Sequence, residues 1–387
     1  MLLAAFDPNL LIFVLIALII IGLATLLRYF KQPFVIAYIL AGVLLGKYGF
    51  EIIVDETLIK GIGEFGLILL LFFIGMEIDL KDFLKNWKIA TFGTLSQIFG
   101  SVFLVSLIGY AFGWQLNRFI ILGFIISLSS SAVIIKLLQD NQESQSEVGK
   151  NIISILLMQD ILIVPMLIAT NYLGGNVPST IDIIMQIVGG ILLIGSMVWI
   201  FNKKEFRLPF SKTIEKDHEL QVFFAFIVCF GFAVLTALFG LSAALGAFVG
   251  GMVVHAAKST DWFHDSLNSF RVIFVALFFV SIGMLIDIRF VTAHWQTIGL
   301  LLIAVYLSNH LINALVLQFF GRNWTNSLYG GALLAQIGEL AFILVSSAYY
   351  TAIISDFEYQ LTIVTIALTL LISPFWISLT KRLVGYK

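Results

Sequence analysis

Apolar residues recur along this chain in runs of about 20, and no other feature so narrows what it can fold into. Each run matches the roughly 30 Å of a hydrocarbon layer at about 1.5 Å of helical rise per residue. Inside such a layer every backbone N–H and C=O has to be satisfied within the segment, which leaves helices for runs of this kind. Composition agrees: of 387 residues, 60% are hydrophobic and 12% charged, and mean hydropathy is +1.04. A water-facing surface on a chain this long needs far more charge. Net charge is −1, so no basic surface offers itself to a nucleic acid. The single cysteine, Cys229, excludes a disulfide framework and a cysteine-built metal site, and reads as a small packing residue. No Lys or Arg precedes the first apolar run and no small-residue cleavage pattern follows it, so no removable signal peptide is expected.

Hydropathy predicts about thirteen spans, near 9–30, 34–46, 59–79, 87–113, 118–138, 149–172, 181–202, 219–239, 241–257, 271–288, 295–320, 326–353 and 359–382. The second and ninth are short, which predicts tilt or a broken helix. Loop charge sets the orientation. With the amino terminus outside, eighteen Lys and Arg fall at inner ends, while Lys47, Lys60, Arg118 and Arg289 are the four at outer ends. That bias puts the amino end outside and the carboxyl end in the cytoplasm. Residues 203–219 form the one long polar loop, and no soluble domain is expected before or after the membrane part.

The two halves resemble each other. IGMEID at Ile74–Asp79 matches IGMLID at Ile282–Asp287, and AGVLLG at Ala41–Gly46 matches LGAFVG at Leu245–Gly250. Spans two and three thus pair with nine and ten, an offset of seven. An odd offset means that the second half enters the membrane in the opposite sense. The expected organisation is a first repeat over 1–172, a linking helix and cytoplasmic loop over 173–218, and an inverted second repeat over 219–387. Chance similarity between apolar segments is the bland alternative. The spaced glycines read as sites of close helix packing.

Charge at the centre of a bilayer costs about 2.5–3.5 kcal/mol on insertion scales, so each such residue calls for a reason. Asp160 lies ten residues beyond Lys150, about 15 Å along a helix, and so at the midplane. Gln159 stands beside it, and Pro165 loosens the backbone further on. A transport acid and a structural acid held by a buried partner both fit, but no predicted span carries Lys or Arg at mid-depth. The fifth span holds ISLSSSAV at Ile126–Val133. Hydroxyls so crowded compete for backbone groups and can break a helix, and such breaks hold cations. A small-residue packing face is the alternative. Its symmetry partner, span twelve, is interrupted by AQIGELAF at Ala335–Phe342. Two interruptions in related spans predict a pair of broken helices crossing near Asp160. Glu339 is then either a second titrating group or an acid that neutralises half-helix ends, with the second favoured. Glu64, Glu77, Asp79 and Asp287 sit nearer span ends and read as boundary charges or helix-end partners. Arg271 opens the tenth span and is placed to pair with an acid. His310, with Asn309 and Asn313, forms a polar cluster in span eleven that reads as structural.

At this point the chain resembles the membrane part of the monovalent cation:proton antiporter-2 family, which includes Kef-type potassium systems and NapA-type sodium antiporters. The similarity rests on KQPFVIAYILAGVLLG (31–46), GLILLLFFIGMEIDL (66–80), SLSSSAVIIKLL (127–138), LLMQDILIVP (156–165), GLSAALGAFVGGMVV (240–254), ALFFVSIGMLID (276–287) and LLAQIGELAFIL (333–344). It implies an all-α polytopic membrane protein of about thirteen helices, an NhaA/NapA-like antiporter fold with inverted six-helix repeats and two crossed broken helices. Spans 1–3 and 8–10 would form a scaffold that also makes a homodimer; spans 4–6 and 11–13 would form the moving core. The family's ion-binding acid falls on Asp160 and its neighbour on Gln159. Sodium antiporters that move net charge usually carry Asp-Asp there, and Kef-type proteins carry Gln-Asp. Many relatives have a lysine in span eleven where this chain has Asn309. Kef-type proteins continue into a cytoplasmic nucleotide-binding domain, so regulation of this chain would need a separate subunit.

The expected function is exchange of K⁺ or Na⁺ for H⁺ in the cell membrane, by alternating access around Asp160. Ser129, Ser130, Ser131, Gln159 and backbone carbonyls would complete an oxygen shell. With one carboxylate and no lysine nearby, exchange should be one-for-one and electroneutral. A cation channel of the same fold and a non-transporting sensor are the rivals. No cofactor is expected. No nucleophile–base pair, metal cluster or phosphate loop points to an enzyme. Sodium against potassium stays open: Gln-Asp leans to potassium, the missing domain to a stand-alone sodium exchanger.

Overall fold

The structure, a computed structural model, describes residues 8–29, 34–53, 56–77, 86–175, 180–202, 214, 216–241, 243–257 and 261–386. The described elements are helices: α1 (Pro8–Tyr29), α2 (Phe34–Leu45), α3 (Glu56–Glu77), α4 (Thr94–Ala111), α5 (Leu116–Ser127), α6 (Ser131–Asp140), α7 (Glu147–Leu173) and α8 (Thr180–Asn202). The second half continues with α9 (His218–Leu238), α10 (Ala243–Ala256), α11 (Asp261–Met284), α12 (Ile288–Ala293), α13 (Trp295–Phe319), α14 (Trp324–Leu333), α15 (Ala341–Tyr350) and α16 (Asp356–Leu383). A π-helical turn, Ile89–Gly93, runs straight into α4. By length and apolarity four described helices each suffice to cross a membrane: Ile89–Ala111, His218–Leu238, Trp295–Phe319 and Asp356–Leu383. Glu147–Ile163 and Pro165–Leu173, bent by 41° where Pro165 interrupts the ladder, make a fifth if taken as one span.

Helix ends are set by local chemistry. Ser146 caps α7, accepting from Gly149 N at 2.9 Å, and Asp217 caps α9 through Glu219 N and Leu220 N. Ser355 and Glu358 form a capping box on α16, which carries Asp356 and Glu358 in its first turn and Lys381 and Arg382 in its last. Both ends of that helix thus complement its dipole. Asp287, read from sequence as a boundary or helix-end acid, caps α12 by accepting from Arg289 N at 2.8 Å. Asp79 and residues 203–213 of the long polar loop lie outside the described residues, as do the side chains of Glu64 and Glu77 on α3.

Both predicted interruptions are present. Span five divides into α5 and α6 at Leu128–Ser130, and span twelve into α14 and α15 at 334–340. Leu128 leaves the helix in an extended conformation, φ −83° and ψ 127°.

The chain forms two compact units, each drawing on both halves of the sequence. The first comprises Met1–Ile52, Lys81–Asn176 and Gly283–Lys387; the second comprises Ile53–Leu80 and Val177–Ile282. Spans one and two therefore group with the helices of spans 4–6 and 11–13, not with span three as the resemblance implied. In the second unit α3 meets α10 backbone to backbone: a Cβ on Gly75 would sit 2.1 Å from Phe248 O. In the first unit the matching glycine, Gly283, leaves 2.0 Å between such an atom and Ile39 O of α2. Gly75 and Gly283 occupy the same place in IGMEID and IGMLID, and each meets the helix that the repeat pairs with the other's partner. That reciprocity is what an inverted repeat predicts. Phe65, Phe226, Phe230, Phe270 and Phe274 fill part of the second unit with stacked and edge-on rings 4.8–6.4 Å apart.

Candidate functional site

Asp160 sits on α7 at 3% exposure, beside Gln159 at 0%. Consecutive helical residues point about 100° apart, and these two side chains reach different partners. Ser131 Oγ donates to Asp160 Oδ2 at 2.8 Å. Ser131 is the first residue of α6, so the carboxylate lies against that helix's N-terminal turn, where a negative group complements the freed N–H groups. Ser130 caps the same helix, its Oγ accepting from Val133 N at 3.2 Å. Ser129 is turned to the other break, with Oγ donating to Leu334 O at 2.9 Å.

The end of α5 leaves carbonyls without helical partners, and amides cover them. Asn309 Nδ2 donates to Ile126 O at 2.8 Å, Gln97 Nε2 to Ser127 O at 3.0 Å, and Gly338 N to Leu128 O at 2.8 Å. Gln159 Nε2 adds a second bond to Ser127 O at 3.1 Å, and its Oε1 accepts from Ser129 N at 2.9 Å. Gln159 therefore braces the break with both ends of its amide. Gly338 N with Leu128 O, and Ser129 Oγ with Leu334 O, tie the two breaks to each other across the crossing. Gly338 permits this approach: a Cβ there would stand 2.5 Å from Ser129 C and O.

Asn309 spans both breaks, since the same Nδ2 also donates to Ala335 O at 3.2 Å. Asn313, one turn on, donates to Leu334 O at 3.3 Å. A neutral amide here does what a cationic side chain would do for two helix C-termini, without adding charge. His310 goes elsewhere: its Nδ1 accepts from Trp376 Nε1 at 3.1 Å. Glu339 is buried in the break of span twelve, one residue before the cap of α15, where a carboxylate complements the helix dipole. Arg271 belongs to the second unit, on α11.

Span thirteen holds span five at both ends. Glu358 pairs with Arg118 at 3.1 Å near the start of α5, and Lys381 pairs with Glu143 just beyond α6. Tyr329 Oη donates to Glu143 Oε2 at 2.6 Å, and the rings of Tyr329 and Tyr386 stack at 4.1 Å.

Two residues escape the sequence reading. Gln97 is buried on α4, and its only signal was an amide alone in an apolar span. Thr369 on α16 precedes Pro374 by the same five residues that separate Asp160 from Pro165. Its Oγ1 accepts from Ile337 N at 3.1 Å, so the second repeat puts a neutral hydroxyl against its break where the first has a carboxylate. That spacing was the available signal. Among the described residues, no group of three or more His, Cys, Asp or Glu is placed to hold a metal ion.

Two helix breaks, hydrogen-bonded across their crossing beside a buried carboxylate, are the arrangement of a class, the helical membrane carriers built around broken helices. The chain belongs to the sodium/hydrogen exchanger family, whose transmembrane description matches residues 13–382. It is 32% identical over 377 residues to a protein of Paramagnetospirillum magneticum described as iron transporter MagA, covering 97% of this chain and 87% of that protein. K(+) efflux antiporter 5 of Arabidopsis thaliana is 31% identical over 89% of the chain, which spans 61% of that longer protein. A Na(+)/H(+) antiporter of Enterococcus hirae is 27% identical, covering 90% of this chain and 91% of its own. In fold, the chain resembles the sodium proton antiporter MjNhaP1 from Methanocaldococcus jannaschii, with a TM-score of 0.67, 17% identity and 98% of this chain covered.

Proposed function

We propose that this protein exchanges a monovalent cation, K⁺ or Na⁺, for H⁺ across the cell membrane, with Asp160 as the carrier. The observation that carries the reading is the buried Asp160 carboxylate against the N-terminal turn of α6, bonded by Ser131 Oγ at 2.8 Å. A protonated carboxyl gives up H⁺ as the cation binds and regains it as the cation leaves. One carboxylate therefore exchanges one charge for one, and Asn309 adds none. Serine hydroxyls and a carboxylate are hard oxygen donors, suited to K⁺ or Na⁺. Relatives described as K⁺ efflux and Na⁺/H⁺ antiporters support antiport over a channel. The helices of spans 4–6 and 11–13, which carry the crossing, would rock as a core against the scaffold and expose Asp160 to each side in turn. A homodimer, an outer amino end, a cytoplasmic carboxyl end and a separate regulatory subunit complete the proposal.

The test is a pH-sensitive dye in proteoliposomes, with Na⁺, K⁺ and Fe²⁺ added in turn. Recovery with Na⁺ or K⁺, unchanged when a membrane voltage is imposed, is the expected result. Clear voltage dependence would sink the one-for-one stoichiometry, and cation flux without proton movement would mean a channel. Fe²⁺ is included because of the iron-transporter relative; a site of oxygen donors without thiolate or imidazole favours it less. Ser131→Ala should raise the half-saturating cation concentration about tenfold, since the removed hydroxyl donates to a charged group. Cation titration of the dye response reads this directly, and a normal titration would remove Ser131 from the site.

A further inference from the structure

We infer that Gln97 is a positioning residue for the exchange: it fixes the sense of the Gln159 amide, and through it the break that presents Ser131 to Asp160. The inference rests on Asp160 being the carrier. Gln97 is 1% exposed and sits on α4, apart from the two broken helices. Its Oε1 accepts from Gln159 Nε2 at 2.7 Å while its Nε2 donates to Ser127 O at 3.0 Å. Gln159 Oε1 in turn accepts from Ser129 N at 2.9 Å. The bonds run head to tail, from Ser129 N–H through Gln159 and then Gln97 to Ser127 O. Two carboxamides thus close a ring across the break of span five, and each has one allowed orientation.

The ring has a chemical consequence for the position beside Asp160. An ionised carboxylate at 159 would have no proton for Gln97 Oε1 or for Ser127 O, and would face two buried oxygens instead. Gln97 could relieve this only by turning its amide over, which removes its own bond to Ser127 O. With Gln97 in place, residue 159 is held as a neutral amide that both donates and accepts. The neutral amide beside Asp160 is therefore specified partly from a helix that need never touch the ion.

Four variants, Q97L, Q159L, the double Q97L/Q159L and D160N, would be compared with the parent protein in proteoliposomes, titrating Na⁺ and K⁺ separately. Q97L should raise the half-saturating cation concentration about tenfold and leave the maximal rate within about threefold, the scale of one buried hydrogen bond lost. If Gln97 acts through Gln159, the double variant should bind cation no worse than Q159L alone. Normal half-saturation in Q97L, or effects that multiply in the double variant, would overturn the inference. Q97E keeps the shape should Q97L fail to reach the membrane. Its ionised form can accept from Gln159 but cannot donate to Ser127 O. The ratio of its half-saturation to the parent's should then change with pH, and a constant ratio would equally overturn the inference. Exchange surviving in D160N would remove the carrier assignment and leave the Gln97–Gln159 coupling to be read from non-additivity alone.

Discussion

Asp160→Asn should reduce cation-driven proton movement to the leak of protein-free liposomes, a loss of at least about 100-fold, the scale set by removing an essential proton-transfer group. An amide has no proton to exchange for a cation near neutral pH, so no step of the cycle remains coupled. The fold should persist. An amide oxygen can still accept from Ser131 Oγ, and the variant removes a buried group that is costly to leave charged. Yield and melting temperature in detergent should therefore match the parent while transport disappears. Retained exchange would end the assignment of Asp160 as carrier. Lost exchange with lost folding would instead mark it as a structural acid.

Gly338→Ala should be the most damaging single methyl in the first unit's crossing. The new Cβ would lie 2.5 Å from Ser129 C and O and 2.7 Å from Ser130 N, all of them backbone atoms. Gly338 N is itself bonded to Leu128 O at 2.8 Å, so neither strand can withdraw without breaking the link between the breaks. Overpacking of this kind costs about 3 kcal/mol, and here it falls beside the site. A melting temperature at least about 5 °C lower, with exchange strongly reduced, is expected in thermal-shift and proteoliposome assays. Parent-like behaviour in both would mean that the two breaks do not touch.

Sequence alone reached a good part of this. Runs of about 20 apolar residues leave a chain no soluble option, because the bilayer imposes both length and backbone satisfaction. The serines of 127–131 and the AQIGEL stretch marked both breaks, since crowded hydroxyls and polar side chains inside a span compete with the helix. Asp160 stood out by its expected depth, because charge at the midplane is costly, and the structure buries it against the first turn of α6. The repeat gave Gly75 and Gly283 equivalent places, and the close approaches at both followed. What position in sequence could not convey is partnership. Nothing in the fourth span says that Gln97 reaches Gln159, 62 residues away. Nothing in the serine cluster says which hydroxyl finds Asp160, since that depends on where α6 begins and how its first turn faces α7. The serines share one composition and have three duties: Ser129 ties the breaks, Ser130 caps α6, and Ser131 bonds the carboxylate. The sequence determined that this protein crosses a membrane with a buried acid beside interrupted helices. Only the tertiary structure decided how the freed backbone groups are satisfied, because hydrogen bonds between distant helices are set by packing and not by local order in the chain.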